Sequence, residues 1–578
     1  MLRTVIVVFV TWLLVAAGPS MAATSDGDVT ARLQAALASE LLSLATGNAE
    51  DVKSVYESRQ FAPLWWSNGA WSAAAHDAIA ILSVSDRHGI NGSRYGVEAL
   101  QRLMDLDPAS LNGDLAAAGD LALTSALLAY LDDQAEGRID PASTSWYSRT
   151  VGTGSAATLL MRGLDAADFA AWLDDQAPAR NGYVALATVM ARLQRLADQP
   201  WADLDRAGLI RPGGEDERIP EIRQRLILLG DYRAIRPNQV ANASAATDST
   251  TYDAALTAAI ERFQARHGLE DDGIIGPKTM AALNLSPAEQ VRTIAVNLER
   301  LRWMPDPADV AGRHIVVNVA GFELTAYLDG VPALSMPVIV GQPRHKTPLL
   351  ADQIVNVKFA PNWTVPDRIA RRELLPKIQS DPGYLASNNF RVFLDHSATV
   401  EVDPSQVDWA SLSSNYMPYM LRQEPGPSNA LGMIRFSLSN SLNIYMHDTG
   451  SRQLFAQSER SLSHGCVRVG APVALANFVL DGLDKAWTPD EIEAAMVASR
   501  PHFQRLAAPV PVDLVYLTAW VGADGIVQFR DDIYGYDGTT GEQLELADRA
   551  GSLAVTRLID ALAAFGESPT VTAALEQG

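Results

Sequence analysis

The sequence predicts a multidomain protein of the α+β class, on three observations. The chain has 578 residues, too many for one core at roughly 100–200 residues per domain. Apolar residues recur at helical spacing through residues 28–209 and again through 216–286. At Arg313 the period falls from 3.6 to 2, as in half-buried strands. A helical unit, a small helical module and a mainly β unit are therefore expected in that order.

Composition narrows the function classes. Apolar residues make up 48% and charged residues 20%, enough for ordinary cores and unlike a disordered chain. Forty-six basic against 68 acidic residues give a net charge of −22, which argues against a general affinity for nucleic acid or anionic lipid but allows a local basic patch. The single cysteine, Cys466, excludes an intramolecular disulfide.

Residues 1–22 form an expected export signal. Arg3 precedes an apolar run from Val5 to Ala17 broken by Thr11, and Ser20-Met21-Ala22 offers a small-x-small cleavage site after Ala22 or Ala23. The run is shorter than the roughly 18 apolar residues of a membrane span; an uncleaved anchor is the alternative. No later stretch reads as a span, so an exported, acidic, soluble chain is expected. From Asp28 to about Leu209 helices follow one another. Leu121, Leu123, Leu127, Leu128 and Leu131 form an apolar stripe, with Gly137 beyond the helix end. Pro63-Leu64-Trp65-Trp66 reads as packing, with a ligand surface as the sharper alternative.

In 216–286, Pro220 opens a helix carrying Ile222, Leu226 and Leu229 and closed by Gly230. The polar stretch Asn238 to Thr251 reads as a flexible insertion. A second helix carries Leu256, Ile260 and Phe263 and stops at Gly268. A turn at Asp272–Pro277 starts a third, ending near Leu283. The β unit spans 313–500. Strands are expected at Ile315–Val319, Phe322–Leu328, Ala333–Val340, Ile354–Phe359, Met433–Leu438 and Leu442–Met446. The stretch 367–432, helical near Ile369–Ile378 and otherwise broken by Pro, Asn and Ser, reads as a lid. Helices are expected at Val473–Leu483 and Asp490–Val497. A hairpin of Val512–Trp520 with Gly525–Phe529 opens an extension, 508–578, expected to pack on the β unit.

The chemistry centres on Ser463-His464-Gly465-Cys466-Val467-Arg468, nineteen residues after His447 at a strand end. A thiol nucleophile needs a base or cation that favours the thiolate, and donors for the oxyanion. His447 is the candidate base, and the carboxylate or carbonyl of Asp448 the group that orients its ring. Arg468 is expected to lower the thiol pKa, and the amides of Gly465 and Cys466 to face the oxyanion. Three rival readings are weaker. An inert core cysteine sits badly among His464, Gly465 and Arg468. Zinc held by His447, His464 and Cys466 lacks a Cys-x-x-Cys or His-x-x-x-His pairing. Papain-like peptidases place Cys before His. The residues alone indicate thiol acyl transfer without naming a substrate.

His447 followed by Ser463-His464-Gly465-Cys466 resembles the signature of L,D-transpeptidases with a YkuD-type domain. Pro361-Asn362-Trp363-Thr364-Val365-Pro366, Glu373-Leu374-Leu375-Pro376-Lys377, Pro425-Gly426-Pro427 with Asn429-Ala430-Leu431-Gly432, and Ile444-Tyr445-Met446-His447-Asp448-Thr449 resemble the large, lid-containing YcbB-type subfamily. Phe263-Gln264, His267-Gly268-Leu269 and Asp272–Gly276 are similar to the peptidoglycan-binding domain. Leu123-Thr124 and Gly137–Pro141 are similar to the scaffold domain of those enzymes.

The resemblance implies periplasmic 3→3 crosslinking of peptidoglycan. Cys466 would attack the L-centre carbonyl of diaminopimelate in a tetrapeptide stem and expel D-alanine. His447 would shuttle the proton with the Asp448 carbonyl holding its ring, Gly465 and Cys466 amides would hold the oxyanion, and His464 and Arg468 would line the pocket. Trp363, Tyr445 and Ser463 are the candidate substrate contacts, with packing as the alternative for the first two. No cofactor or metal is implied. The implied partners are stem peptides, glycan and cell-wall synthesis proteins, with the chain a monomer and carbapenems as covalent inhibitors. Water as acceptor (an L,D-carboxypeptidase), a lipoprotein lysine as acceptor, sortase-like transfer and a non-catalytic wall-binding scaffold are the other readings. Sortases separate His and Cys more widely, and the complete His447/Cys466/Arg468 set argues against a bare scaffold. The long polar insertion departs from the peptidoglycan-binding pattern and puts that module's groove in doubt.

Overall fold

The computed structural model describes residues 24–39, 47–146, 154–179, 181–232, 248–395, 397–481 and 486–565. The expected export signal lies outside them, as do residues 238–247 of the expected insertion.

The N-terminal part is built around the Gly113–Glu136 helix, whose first turn is capped by Asn112 accepting from the Leu115 amide. Contrary to the reading that no later stretch is apolar enough, this helix could cross a membrane by length and composition. However, 89% of its apolar window is buried inside the protein, which makes it a core helix enclosed by its neighbours. The aromatic patch is packing: Trp65 and Trp66 are fully buried. Asp120 of the core helix pins it, accepting from the amides of Leu64, Trp65 and Trp66 and from the Tyr56 hydroxyl. Burial pushes this carboxyl up to about 6. A short hairpin, Trp66–Ser67 with Ala70–Trp71, interrupts the helices.

The small module has its three expected helices, Ile219–Leu229, Ala254–Arg266 and Pro277–Asn284. Its core is wider than expected. Tyr183, Leu186, Met190 and Leu193, from the Asn181–Gln194 helix that the sequence grouped with the first unit, pack in it, as do Ala519, Val527 and Phe529 from far downstream.

A helix not anticipated, Pro287–Trp303, joins the parts. Its start is a capping box in which Ser286 and Glu289 exchange hydrogen bonds. Its end carries a buried ion network. Glu299 accepts from Arg138 and Arg302, each at 3.2 Å, and Arg138 also reaches Asp548 of the C-terminal helix at 3.0 Å. Gly137 makes the approach possible: its φ is +89°, and a Cβ there would stand 2.6 Å from both Glu299 Oε1 and Trp303 Nε1. Removing the central anion leaves the buried Arg302 guanidinium without a carboxylate and Arg138 with Asp548 alone. Glu299→Ala is therefore expected to cost about 3–5 kcal/mol by urea denaturation. A change below about 1 kcal/mol, the range of exposed ion pairs, would show that the network does not join the parts.

The β unit is a nine-stranded sheet of Arg313–Asn318 (β1), Glu323–Leu328 (β2), Val331–Gly341 (β3), Leu350–Phe359 (β4), Ile434–Leu438 (β5), Met446–His447 (β6), Ser461–Ser463 (β7), Val467–Val469 (β8) and His502–Val515 (β9). Strand order is β7-β3-β8-β6-β5-β4-β9-β1-β2, and β3 also pairs with β2. The long β3 thus closes the sheet on itself, using Val331–Pro337 against β2 and Val338–Val469 and Ile339–Arg468 against β8.

Three expectations need correction. The strand expected at Leu442–Met446 is only Met446–His447, because Asn440 side-chain bonds to Leu442 and Ile444 hold the preceding residues in a turn. Val512 belongs to β9, paired with both β4 and β1, and the late hairpin is only Ala519–Val521 with Val527–Phe529. The C-terminal extension does not pack on the β unit alone: its hairpin joins the three-helix core, and Val555, Leu558 and Ile559 of the Tyr536–Phe565 helix join the N-terminal core.

The lid is more ordered than its composition suggests. Asp367–Ser380 is continuously helical through a π turn at Ala370–Leu374. Trp363–Thr364, Met420–Gln423, Phe390–Phe393 and Glu401–Val402 form a separate four-stranded sheet. Leu374, Ile378, Val392 and Leu421 give this insert a core of its own.

Candidate active site

Strand register assembles the site. β6 and β8 run parallel, with Met446 opposite Val467 and His447 opposite Arg468. Residues opposite each other share a face, and neighbours along a strand alternate. Met446, Val467 and Phe436 are fully buried in the barrel core. His447 and Arg468 therefore take the other face, together with Tyr445 and Cys466 two positions earlier. The nineteen-residue separation in sequence becomes an offset of two positions across one strand pair.

His447 is buried, and its Nδ1 donates to the Asp448 carbonyl at 2.6 Å, which leaves Nε2 for chemistry. The Asp448 carboxylate is engaged elsewhere, accepting from the Met433 amide and Arg452, both at 2.9 Å. The carbonyl, not the carboxylate, orients the ring. Burial first, then the charge of Arg468, lowers the imidazole to about 3 against the pull of the Asp448 and Leu431 carbonyls.

The thiol departs from expectation. Burial pushes Cys466 above its ordinary value, outweighing the Tyr445 backbone and hydroxyl, Arg435 and Arg468, which all lower it. The lowering expected from Arg468 is present but outweighed by burial, so the raised thiol and the lowered imidazole both favour their neutral forms. Such a pair reacts when the imidazole takes the proton as sulfur attacks.

The Ser463–Arg468 turn is braced from within. Ser463 Oγ donates to the Cys466 carbonyl at 2.6 Å and accepts from the Gly465 amide at 3.1 Å. Two assignments change accordingly. Ser463 is a buried brace, not a substrate contact, and the Gly465 amide is committed to it, not directed at an oxyanion. Gly465 is needed for its φ of +112°, since a Cβ there would make only ordinary contacts. Thr347 Oγ1 supports the turn from behind, donating to the Gly465 carbonyl at 2.8 Å.

His464 points outward and joins the lid. Its Nε2 lies 2.7 Å from Glu373 on the π turn, and its ring stacks on His345 with centroids 4.9 Å apart. Trp363 and Tyr445 are both partly buried. The Tyr445 hydroxyl interacts with the Trp363 indole and the Cys466 thiol, so both candidates border the nucleophile. Sequence reasoning missed Arg435, which β5 places opposite His447 and whose charge acts on the thiol ahead of that of Arg468. Its signal was the alternation Ile434 in, Arg435 out, Phe436 in. Among the described residues no cluster of three or more His, Cys, Asp or Glu could hold a metal ion.

A mixed α+β architecture with a Cys–His pair on a closed sheet under a lid defines the class of a thiol acyl-transfer site. Comparison with known families then specifies it. Residues 312–488 match the L,D-transpeptidase catalytic domain of the YkuD family, 50–190 match a scaffold domain, and 215–283 match the family described as "Putative peptidoglycan binding domain". The three matches fall along the chain in the order scaffold, peptidoglycan-binding, catalytic. A Haemophilus influenzae (strain ATCC 51907 / DSM 11121 / KW20 / Rd) protein named "Putative L,D-transpeptidase" is 37% identical over 255 residues, 44% of this chain and 49% of the relative. This chain thus spans about half the length of that curated relative. The crystal structure of the L,D-transpeptidase (residues 123–326) from Xylanimonas cellulosilytica DSM 15894 aligns over 54% of this chain and 99% of its own, at 14% identity and a TM-score of 0.17, too low to support an argument.

Proposed function

We propose that this chain is an L,D-transpeptidase that forms 3→3 crosslinks in peptidoglycan. One observation carries the reading: within the matched catalytic span, the pairing of His447 with Arg468 puts His447, oriented by the Asp448 carbonyl, on the same sheet face as Cys466, two positions along the adjoining strand.

The Cys466 sulfur attacks the diaminopimelate carbonyl of a tetrapeptide stem while His447 Nε2 takes the thiol proton. The carbon–nitrogen bond breaks, the proton passes to the leaving amine, and D-alanine departs. The side-chain amine of a second stem then attacks the thioester and gives its proton through His447 to the departing sulfur. The lid, tied to the signature by Glu373 and His464, limits water at the thioester, which favours the amine as acceptor. Export to the periplasm, supported by the composition of residues 1–22, belongs to the same proposal and is checked by cell fractionation.

Purified protein incubated with disaccharide-tetrapeptide is expected to release D-alanine and yield a 3→3 dimer by mass spectrometry. Tripeptide without dimer would assign the site to hydrolysis, and neither product would overturn the proposal.

A further inference from the structure

Three cations stand in the row of His447. Lys358 on β4 lies opposite Arg435 on β5, Arg435 opposite His447, and His447 opposite Arg468. Among the described residues none of the three forms an ion pair. Arg435 donates to Ser437 Oγ at 3.1 Å and Lys358 to Asn362 Oδ1. The Nε atoms of Arg435 and Arg468 are buried without a partner. The Arg435 guanidinium covers the Tyr445 ring at 5.1 Å. The neighbouring carboxylate, Glu424, is occupied by Arg422 at 2.8 Å. Burial, then Arg435 and Arg422, brings the Lys358 ammonium down to about 8. In a chain of net charge −22, this row beside the nucleophile is locally inverted. Half-buried guanidinium groups without counter-charge, with buried Nε atoms left unpaired, are costly, and an anionic ligand relieves that cost.

We infer that Arg435, with Lys358 and Arg468, binds the terminal carboxylate of the donor's D-alanine, so that the site selects stems ending one residue past the scissile bond. The inference rests on the transpeptidase reading above. That carboxylate lies about one residue's span, ~3.8 Å, beyond the attacked carbonyl, and the row ends at Arg468, two residues past Cys466, with Arg435 and Arg468 both acting on the thiol. The other carboxylate within reach, on the diaminopimelate side chain, is separated by a flexible chain.

Two experiments test this. In the first, tetrapeptide donors ending in D-alanine, in D-alaninamide, or carrying an amidated diaminopimelate side chain are compared by kcat/KM. Wild type is expected to lose about 10–100-fold on the D-alaninamide donor, the size of losing one charge-assisted contact. Arg435→Gln is expected to lose as much on the acid donor and little more on the amide, while Arg435→Lys recovers most of the preference. Equal losses by Arg435→Gln on acid and amide donors, or a dependence on the diaminopimelate carboxylate instead, would overturn the assignment. The second needs no transpeptidation: Cys466 is alkylated with anionic iodoacetate and neutral iodoacetamide. The rate ratio is expected to fall several-fold in Arg435→Gln, and an unchanged ratio contradicts an anion site. A fallen ratio in a protein that turns over no donor would keep the anion site and reject the transpeptidase reading.

Discussion

Cys466→Ala is expected to abolish acyl-enzyme formation and 3→3 product while leaving the thermal midpoint nearly unchanged. The two halves of this expectation have different origins. With one cysteine in the chain, no other thiol can replace the nucleophile. The side chain is small and half-buried, and its sulfur has a weak contact with the Asn443 carbonyl at 3.8 Å, so truncation leaves little cavity and costs under about 1 kcal/mol. The turn keeps its braces, because Ser463 bonds the Cys466 backbone, not its side chain. A carbapenem, whose strained carbonyl imitates the acyl donor, should add one drug-sized increment to wild type and none to Cys466→Ala. An increment on the variant, or retained crosslinking, would remove Cys466 from the mechanism.

His447→Ala should lower turnover by about 10²–10⁴-fold, the usual range for loss of a general base. Its pH dependence is the sharper consequence. A ring with an ordinary value near 6.5 loses base function as pH falls below about 6. At about 3 the ring is still neutral there, so kcat/KM should hold through pH 5 and fall only nearer the ring's own value. The raised thiol gives the opposite sign at the alkaline end: iodoacetamide alkylation should climb only above the free-thiol range of about 8.5. A reactivity plateau between pH 4 and 7 would instead indicate a thiolate–imidazolium pair. The exposed His76 is a fair control, and His76→Ala should leave turnover unchanged. His267 is not, because its buried ring packs between Phe263 and Phe529 with centroids at 3.9 and 5.4 Å.

What could be read from sequence was what depends on local chemistry. Gly230 and Gly268 ended their helices, Pro277 began one, and the spacing of Leu256, Ile260 and Phe263 set a buried face. The Cys466–His447 pair was legible for the same reason: few other roles suit a lone thiol flanked by His, Gly and Arg. Long-range register was not legible. Whether Val512 continues into a hairpin or pairs with Ile315 depends on strands two hundred residues away. Arg435 drew no notice because its meaning lies in being opposite His447. The thiol's protonation was misread because a sequence displays Arg468 but not the burial that outweighs it. The Pro287–Trp303 helix, by contrast, carries a start signal legible in the sequence, the Ser286–Glu289 capping box followed by Pro287.

The central claim is that Cys466 accepts the acyl group from a tetrapeptide stem, and trapping that intermediate tests it most directly. Wild-type protein mixed with disaccharide-tetrapeptide and no added acceptor is quenched in acid, weighed intact and mapped by proteolysis. The predicted result is one increment equal to the donor minus D-alanine, carried by the peptide containing Cys466. D-alanine release with Cys466 unmodified, or with the increment on another residue, would contradict the account.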